Sequence, residues 1–193
     1  PMSTWILARL SSADTRLLQA VAQRRGPLLT RFFRSWTHLG DAPVLVLVVV
    51  GLLLLEGLAR GGNPGVGWGS AAGWTPPGRT AAMALGLAFL ASQLLKRWIS
   101  RPRPSLPVGL QSLVEPPDRF SFPSGHAAAS LAVGLVLAMA LVPVAGGWLG
   151  GCALVGALLV GVSRCYLGVH YPGDVVAGWA LGAGAVGAVM LGF

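Results

Sequence analysis

The sequence predicts an all-α protein, a polytopic transmembrane helix bundle of about five spans with an N-terminal amphipathic arm in the membrane interface. Three observations carry that expectation. Hydrophobic residues make up 54% of the 193 and charged residues only 10%, against roughly 25% charged in soluble domains; mean hydropathy is +0.69. Five apolar stretches are long enough for the about 20 helical residues that cross a bilayer core. The polar residues gather in short patches at the ends of those stretches.

The arm comes first. Leu29, Phe32, Phe33, Trp36 and Leu39 follow helical spacing, with Arg31, Arg34, Ser35 and His38 between them. Such a helix, basic on one face and aromatic on the other, is expected to lie in the interface plane. Gly26-Pro27 separates it from an earlier helix around residues 15–25. The spans are then placed at 43–59, 79–98, 125–146, 148–166 and 172–190. Their glycines and alanines, as in Gly182-Ala183-Gly184-Ala185, mark close packing in membrane helices rather than breakage. Residues 60–78, rich in Gly, Pro and Trp, read as a loop with Trp68 and Trp74 at the headgroup level. One domain is expected over 1–193, with 1–40 as the arm and 43–193 as the bundle.

The net charge of +8 would suggest nucleic acid in a soluble protein. Beside these apolar runs it points to anionic lipid headgroups and an anionic substrate, and no nucleic-acid partner is expected. Cys152 and Cys165 fall in one predicted helix, thirteen residues apart, which is about 20 Å at 1.5 Å per residue. Neither a disulfide between them nor a zinc site is expected.

Three patches carry the chemistry: Lys96-x6-Arg103-Pro104, Pro123-Ser124-Gly125-His126 and Ser163-Arg164-x5-His170-x3-Asp174. Alternating crossings bring all three to one face. The second span ends at Lys96, the third begins at Ser124, the fourth returns at Arg164 and the fifth begins beyond His170. That face is called side X.

Each patch has a bland reading beside a chemical one. Lys96 and Arg103 could snorkel at a span end, or clamp a phosphate whose charge spreads over its oxygens during transfer. Arg164 lies inside an apolar run, where a charge is costly and usually functional. Ser124 is a good N-cap and Gly125 permits close approach of a ligand to the backbone. The helix start they form offers free N–H groups to an anion. His170 and Asp174 could simply cap a helix. Alternatively, the carboxylate fixes the imidazole tautomer and frees the other nitrogen as nucleophile, while His126 protonates the leaving oxygen.

The three patches resemble the signature motifs of the type 2 phosphatidic acid phosphatase (PAP2) superfamily, K-x6-R-P, P-S-G-H and S-R-x5-H-x3-D, without a departure. Arg101-Pro102 and Arg103-Pro104 are tandem, and the spacing from Lys96 selects Arg103. The resemblance implies His170 as nucleophile, Asp174 as its orienter and His126 as general acid/base. It implies Lys96, Arg103, Ser124, Gly125 and Arg164 as phosphate ligands. It also implies chemistry without metal or other cofactor, in keeping with a sequence that has no carboxylate cluster suited to magnesium.

The expected function is hydrolysis of a lipid phosphate monoester or pyrophosphate through a phosphohistidine. Undecaprenyl pyrophosphate ranks first, then phosphatidylglycerophosphate or phosphatidic acid. A lipid phosphotransferase would share the phosphohistidine step. The soluble haloperoxidases of the superfamily do not fit five spans. An anion transporter would need buried charges in several spans, and these are nearly bare apart from Glu56 and Arg164. The expected location is the cell (inner) membrane, multi-pass. Side X carries Arg9, Arg16, Arg24, Arg25, Arg31, Arg34, Arg97, Arg101 and Arg119 besides the motif cations, against Arg60 and Arg79 opposite. The positive-inside rule therefore places side X in the cytoplasm, although a crossing by residues 15–39 would move the N-terminus.

Overall fold

The computed structural model describes residues 2–62, 76–116 and 118–192; the side chains of 2–11, 59–62 and 144 lie outside that description. Seven helices follow in order: α1 (Met2–Gln23), α2 (Pro27–Trp36), α3 (Ala42–Gly62), α4 (Pro77–Ile99), α5 (Gly125–Ala145), α6 (Gly147–Tyr166) and α7 (Pro172–Met190), with a 3-10 turn at Thr37–Gly40 between α2 and α3. Among the described residues there is no strand, only an isolated bridge between Pro102 and Phe120. The fold is an all-α helical membrane bundle.

Local chemistry explains where the helices start and stop. Pro27, Pro77 and Pro172 stand at first-turn positions of α2, α4 and α7, where the missing N–H costs nothing. Ser124 caps α5 by accepting from Ala127 N at 3.4 Å. Gly146, at φ 80°, makes the turn between α5 and α6, a conformation that disfavours a side chain. Ser100 ends α4 in the left-handed region at φ 48°, its N–H donating to Lys96 O at 2.9 Å.

Helices α4 to α7 are each long and apolar enough to cross a membrane. The expected first span corresponds to α3, and the arm segment Pro27–Gly40 meets its stretch Ala42–Leu58 at 54°. The arm thus runs into the first span through a sharp bend. The arm is also more embedded than an interfacial helix alone would be. Phe33 is buried with its ring 4.7 Å from Tyr166, and Trp36 Nε1 donates to Gly156 O at 3.0 Å. Leu28, Leu29 and Phe32 remain exposed on the other side. The expected loop is shorter than 60–78, since α3 runs to Gly62 and α4 starts at Pro77. The expected headgroup positions of Trp68 and Trp74 lie outside the described residues.

Small residues let the motif-bearing helices meet closely. A Cβ on Gly178 of α7 would stand 2.5 Å from Ser124 O of α5, and one on Gly182 would run into Ala128 O. Ala84, Ala88, Ala132 and Val133 fill the core beside them. Leu47, Leu54, Phe89 and Leu94 point outward, as expected for surfaces facing acyl chains, where no water drives apolar groups inward. Glu56 is buried and paired with Arg79 at 3.4 Å, joining α3 to α4.

Candidate active site

The site lies where α4 and α6 end and α5 and α7 begin. The left-handed turn at Ser100 releases the chain from α4, and residues 101–103 then pair with 118–121. Ser121 N donates to Arg101 O at 2.9 Å, Ser121 Oγ to Pro102 O at 2.9 Å, and Arg103 Nε to Asp118 O at 2.8 Å. This stitching sets both arginines over the start of α7.

His170 is fully buried. Its Nδ1 lies 2.7 Å from Ser121 O. A carbonyl only accepts, so Nδ1 carries the hydrogen and Nε2 keeps its lone pair. The Nε2 atom faces Arg103 Nη1 at 3.3 Å. Burial pushes the His170 pKa from 6.5 down to about 4; nearby Arg103 and Arg164 also lower it, while Asp174 opposes them.

Asp174 was expected to fix the tautomer of His170, and the geometry assigns that bond elsewhere. Its Oδ2 is 3.6 Å from His170 Nδ1, too long for a hydrogen bond. The Ser121 carbonyl takes the proton instead. Asp174 accepts from Tyr171 N at 2.9 Å and from Arg101 Nη1 at 2.7 Å, so it caps α7 and anchors Arg101 while lying beside the imidazole.

The phosphate-clamp candidates divide into two groups. Lys96 and Arg103 converge on Asp118, Lys96 through Nζ to Oδ2 and Arg103 through Nη2 to Oδ1 at 2.7 Å. Burial raises the Asp118 pKa, yet the two cations hold it below the usual carboxylate range. Arg164 is buried, donates from Nη1 to Thr37 Oγ1 at 2.9 Å, and leaves Nε without a protein partner among the described residues. A buried donor of that kind is costly unless a ligand meets it. Ser124 is buried, with its N–H on Asp174 O at 2.9 Å. A Cβ at Gly125 would touch nothing, so the start of α5 is open to a ligand.

His126 sits on the first turn of α5, near Arg164 and His170. Its Nε2 lies 3.0 Å from Asp41 Oδ1. The structure thus gathers every sequence-predicted site residue at one end of the bundle, Arg103 and His170 in direct contact. Among the described residues, no group of three or more His, Cys, Asp or Glu is arranged to hold a metal ion.

Sequence reasoning missed Asp14, Asp41, Asp118, Arg101, Thr37 and the Ser121 carbonyl. Arg101 bridges Asp174 and Asp14 at 2.7 and 2.9 Å and lies 4.1 Å over the Tyr171 ring. One signal was available: the chain has only six acidic residues, and Asp14, Asp41, Asp118 and Asp174 all bond within this cluster.

The family profile of the PAP2 superfamily matches residues 78–193. The phosphatidylglycerophosphatase B of Bacillus subtilis is 30% identical, over 90% of this chain and 79% of its own length. The decaprenylphosphoryl-5-phosphoribose phosphatase of Mycobacterium tuberculosis is 33% identical, over 89% of this chain and 82% of its own. The crystal structure of a transmembrane PAP2-type phosphatidylglycerolphosphate phosphatase from Bacillus subtilis superposes with a TM-score of 0.77 at 30% identity, covering 96% of this chain and 86% of that one. With its apolar helices, this likeness identifies a multi-pass membrane protein.

Proposed function

Since the chain belongs to the PAP2 superfamily, we propose that it is a lipid phosphate phosphatase working through a phosphohistidine on His170. The observation that carries the reading is the Nδ1–H of His170 held by the Ser121 carbonyl at 2.7 Å. It leaves Nε2 unprotonated, beside Arg103, as a nucleophile requires.

Lys96, Arg103 and Arg164 receive the phosphate at the start of α5, with the Ser124 side chain and the N–H of Gly125. His170 Nε2 attacks phosphorus, the bond from phosphorus to the lipid oxygen breaks, and His126 gives that oxygen a proton. His126 then takes a proton from water as the water oxygen attacks the phosphohistidine, releasing inorganic phosphate and restoring His170. The fixed cations stabilise charge on the transferring group, and no step calls for a metal. Asp174 supports the site through Arg101 and the start of α7.

The site lies at the helix ends of a membrane bundle, so the substrate is amphiphilic. Its relatives bear names of phosphatases for phosphatidylglycerophosphate and for a decaprenyl-linked phosphoribose phosphate; both are phosphates carried on a lipid. We rank an isoprenoid pyrophosphate first, ahead of phosphatidylglycerophosphate and phosphatidic acid. Phosphate release from these three lipids in detergent, with EDTA present, tests the reading. Turnover that survives EDTA and disappears in His170→Ala supports it; wild-type turnover in His170→Ala, or loss of activity with EDTA, overturns it.

A further inference from the structure

We propose that Asp41 is a positioning residue for His126, holding the ring of the general acid where it can meet a poor leaving group. This rests on the phosphatase reading above and deepens it.

Asp41 stands at the bend between the 3-10 turn and α3, 85 residues before His126. Each of its carboxylate oxygens meets one imidazole. Oδ1 lies 3.0 Å from His126 Nε2, and Oδ2 lies 2.8 Å from Nδ1 of the exposed His38. His38 thereby fixes the rotation of the carboxylate, and the carboxylate fixes the ring of His126. Gly40, just before it in the chain, lets this bend pack against α6 and His126: a Cβ there would stand 2.5 Å from Val160 Cγ1 and 3.3 Å from His126 Cδ2.

The two site histidines therefore have partners of opposite kind. His170 donates to a neutral carbonyl, Ser121 O, which leaves it neutral and nucleophilic. His126 is bonded through Nε2 to a carboxylate, Asp41 Oδ1. The other charged or titratable groups facing His126 are Arg164 of α6 and His170 before α7. In the first chemical step the phosphorus–oxygen bond to the lipid breaks, and the electron pair left on that oxygen accepts the proton of His126. In the second, His126 takes one proton from the attacking water. Asp41 exchanges no atom in either step.

The test compares two substrates. Dioctanoyl phosphatidic acid has an alkoxide leaving group that must be protonated; 4-nitrophenyl phosphate has one that departs unaided. Asp41→Asn is expected to lower kcat on the lipid by on the order of 100-fold, within the range for a misplaced proton donor, while changing kcat on 4-nitrophenyl phosphate by less than about 5-fold. The basic limb of the lipid kcat profile is expected at lower pH. Both the substrate ratio and the limb position are independent of how much of the variant folds. Equal losses on both substrates, or no loss on either, would overturn the proposal for Asp41. His126→Ala distinguishes the sources of failure. If it shows the leaving-group signature and Asp41→Asn does not, Asp41 alone is wrong; if it shows none, the acid role of His126 falls and the proposal with it.

Discussion

Arg103 Nη1 stands 3.3 Å from Nε2 of His170, while the Nη2 of the same guanidinium holds Asp118 at 2.7 Å. One planar group therefore touches both the nitrogen proposed to attack phosphorus and the carboxylate lying between two phosphate-clamp candidates. The position of Asp118 between Lys96 and Arg103 mimics an anion in the site.

Removing that carboxylate is expected to strengthen binding of inorganic oxyanions. Asp118 is about one-third exposed, and exposed ion pairs are each worth roughly 0.2–1 kcal/mol. Two such pairs correspond to roughly a 2- to 30-fold lower inhibition constant for vanadate in Asp118→Asn, measured against lipid hydrolysis. A higher constant would mean that Asp118 instead preorganises the cations.

The pH profile follows from the environment of His170. Its pKa is lowered from 6.5 to about 4, chiefly by burial, so the nucleophile stays neutral from about pH 5 upward. The acid limb of kcat/KM is expected near pH 4 rather than near 6.5, because that parameter reports the free enzyme. Stability should respond in the same range. Below about pH 6.5 the unfolded chain binds a proton at His170 that the folded chain refuses until about pH 4, so stability falls as pH drops through that window. A kcat/KM profile that halves near pH 6.5 would contradict the neutral buried imidazole.

Arg101 and Arg97 should differ sharply. Arg101 bridges Asp14 to the fully buried Asp174, whereas Arg97 is exposed. Removing one partner of a buried pair costs about 3–5 kcal/mol, and surface changes usually stay within about 0.5 kcal/mol. Arg101→Met is therefore expected to lower the thermal midpoint in detergent markedly and to reduce turnover, while Arg97→Met leaves both near wild type. Matching midpoints for the two variants would show that the bridge contributes little.

The face on which the site opens can be read by thiol labelling. The positive-inside argument places side X in the cytoplasm, although Arg25 and Arg34 are engaged with the 110–113 loop and Arg101 is ion-paired. Ser112 lies exposed on that loop. A single cysteine there, in cysteine-free protein in intact cells, is expected to resist a membrane-impermeant reagent. Labelling would reverse the assignment and favour an isoprenoid pyrophosphate presented at the outer face.

By itself the sequence determined the apolar helices, the ends at which their polar patches stand and the face that those patches share. These depend on local hydropathy and on the count of crossings, both written along the chain. Tertiary structure decided which atoms meet. The tautomer of His170 is set by a backbone carbonyl, that of Ser121, which has no signature in a side-chain pattern. Arg101, set aside by motif spacing, is directed to Asp174 because residues 101–103 pair with 118–121 after the turn at Ser100. Asp41 and Asp118 reach His126 and Lys96 across 85 and 22 residues. The bend before α3 and the loop before α5 deliver them, and such long-range pairings follow from packing rather than from periodicity. Likewise the arm's spacing revealed an amphipathic helix, but burial of Phe33 against Tyr166 decided that one of its faces would pack on protein.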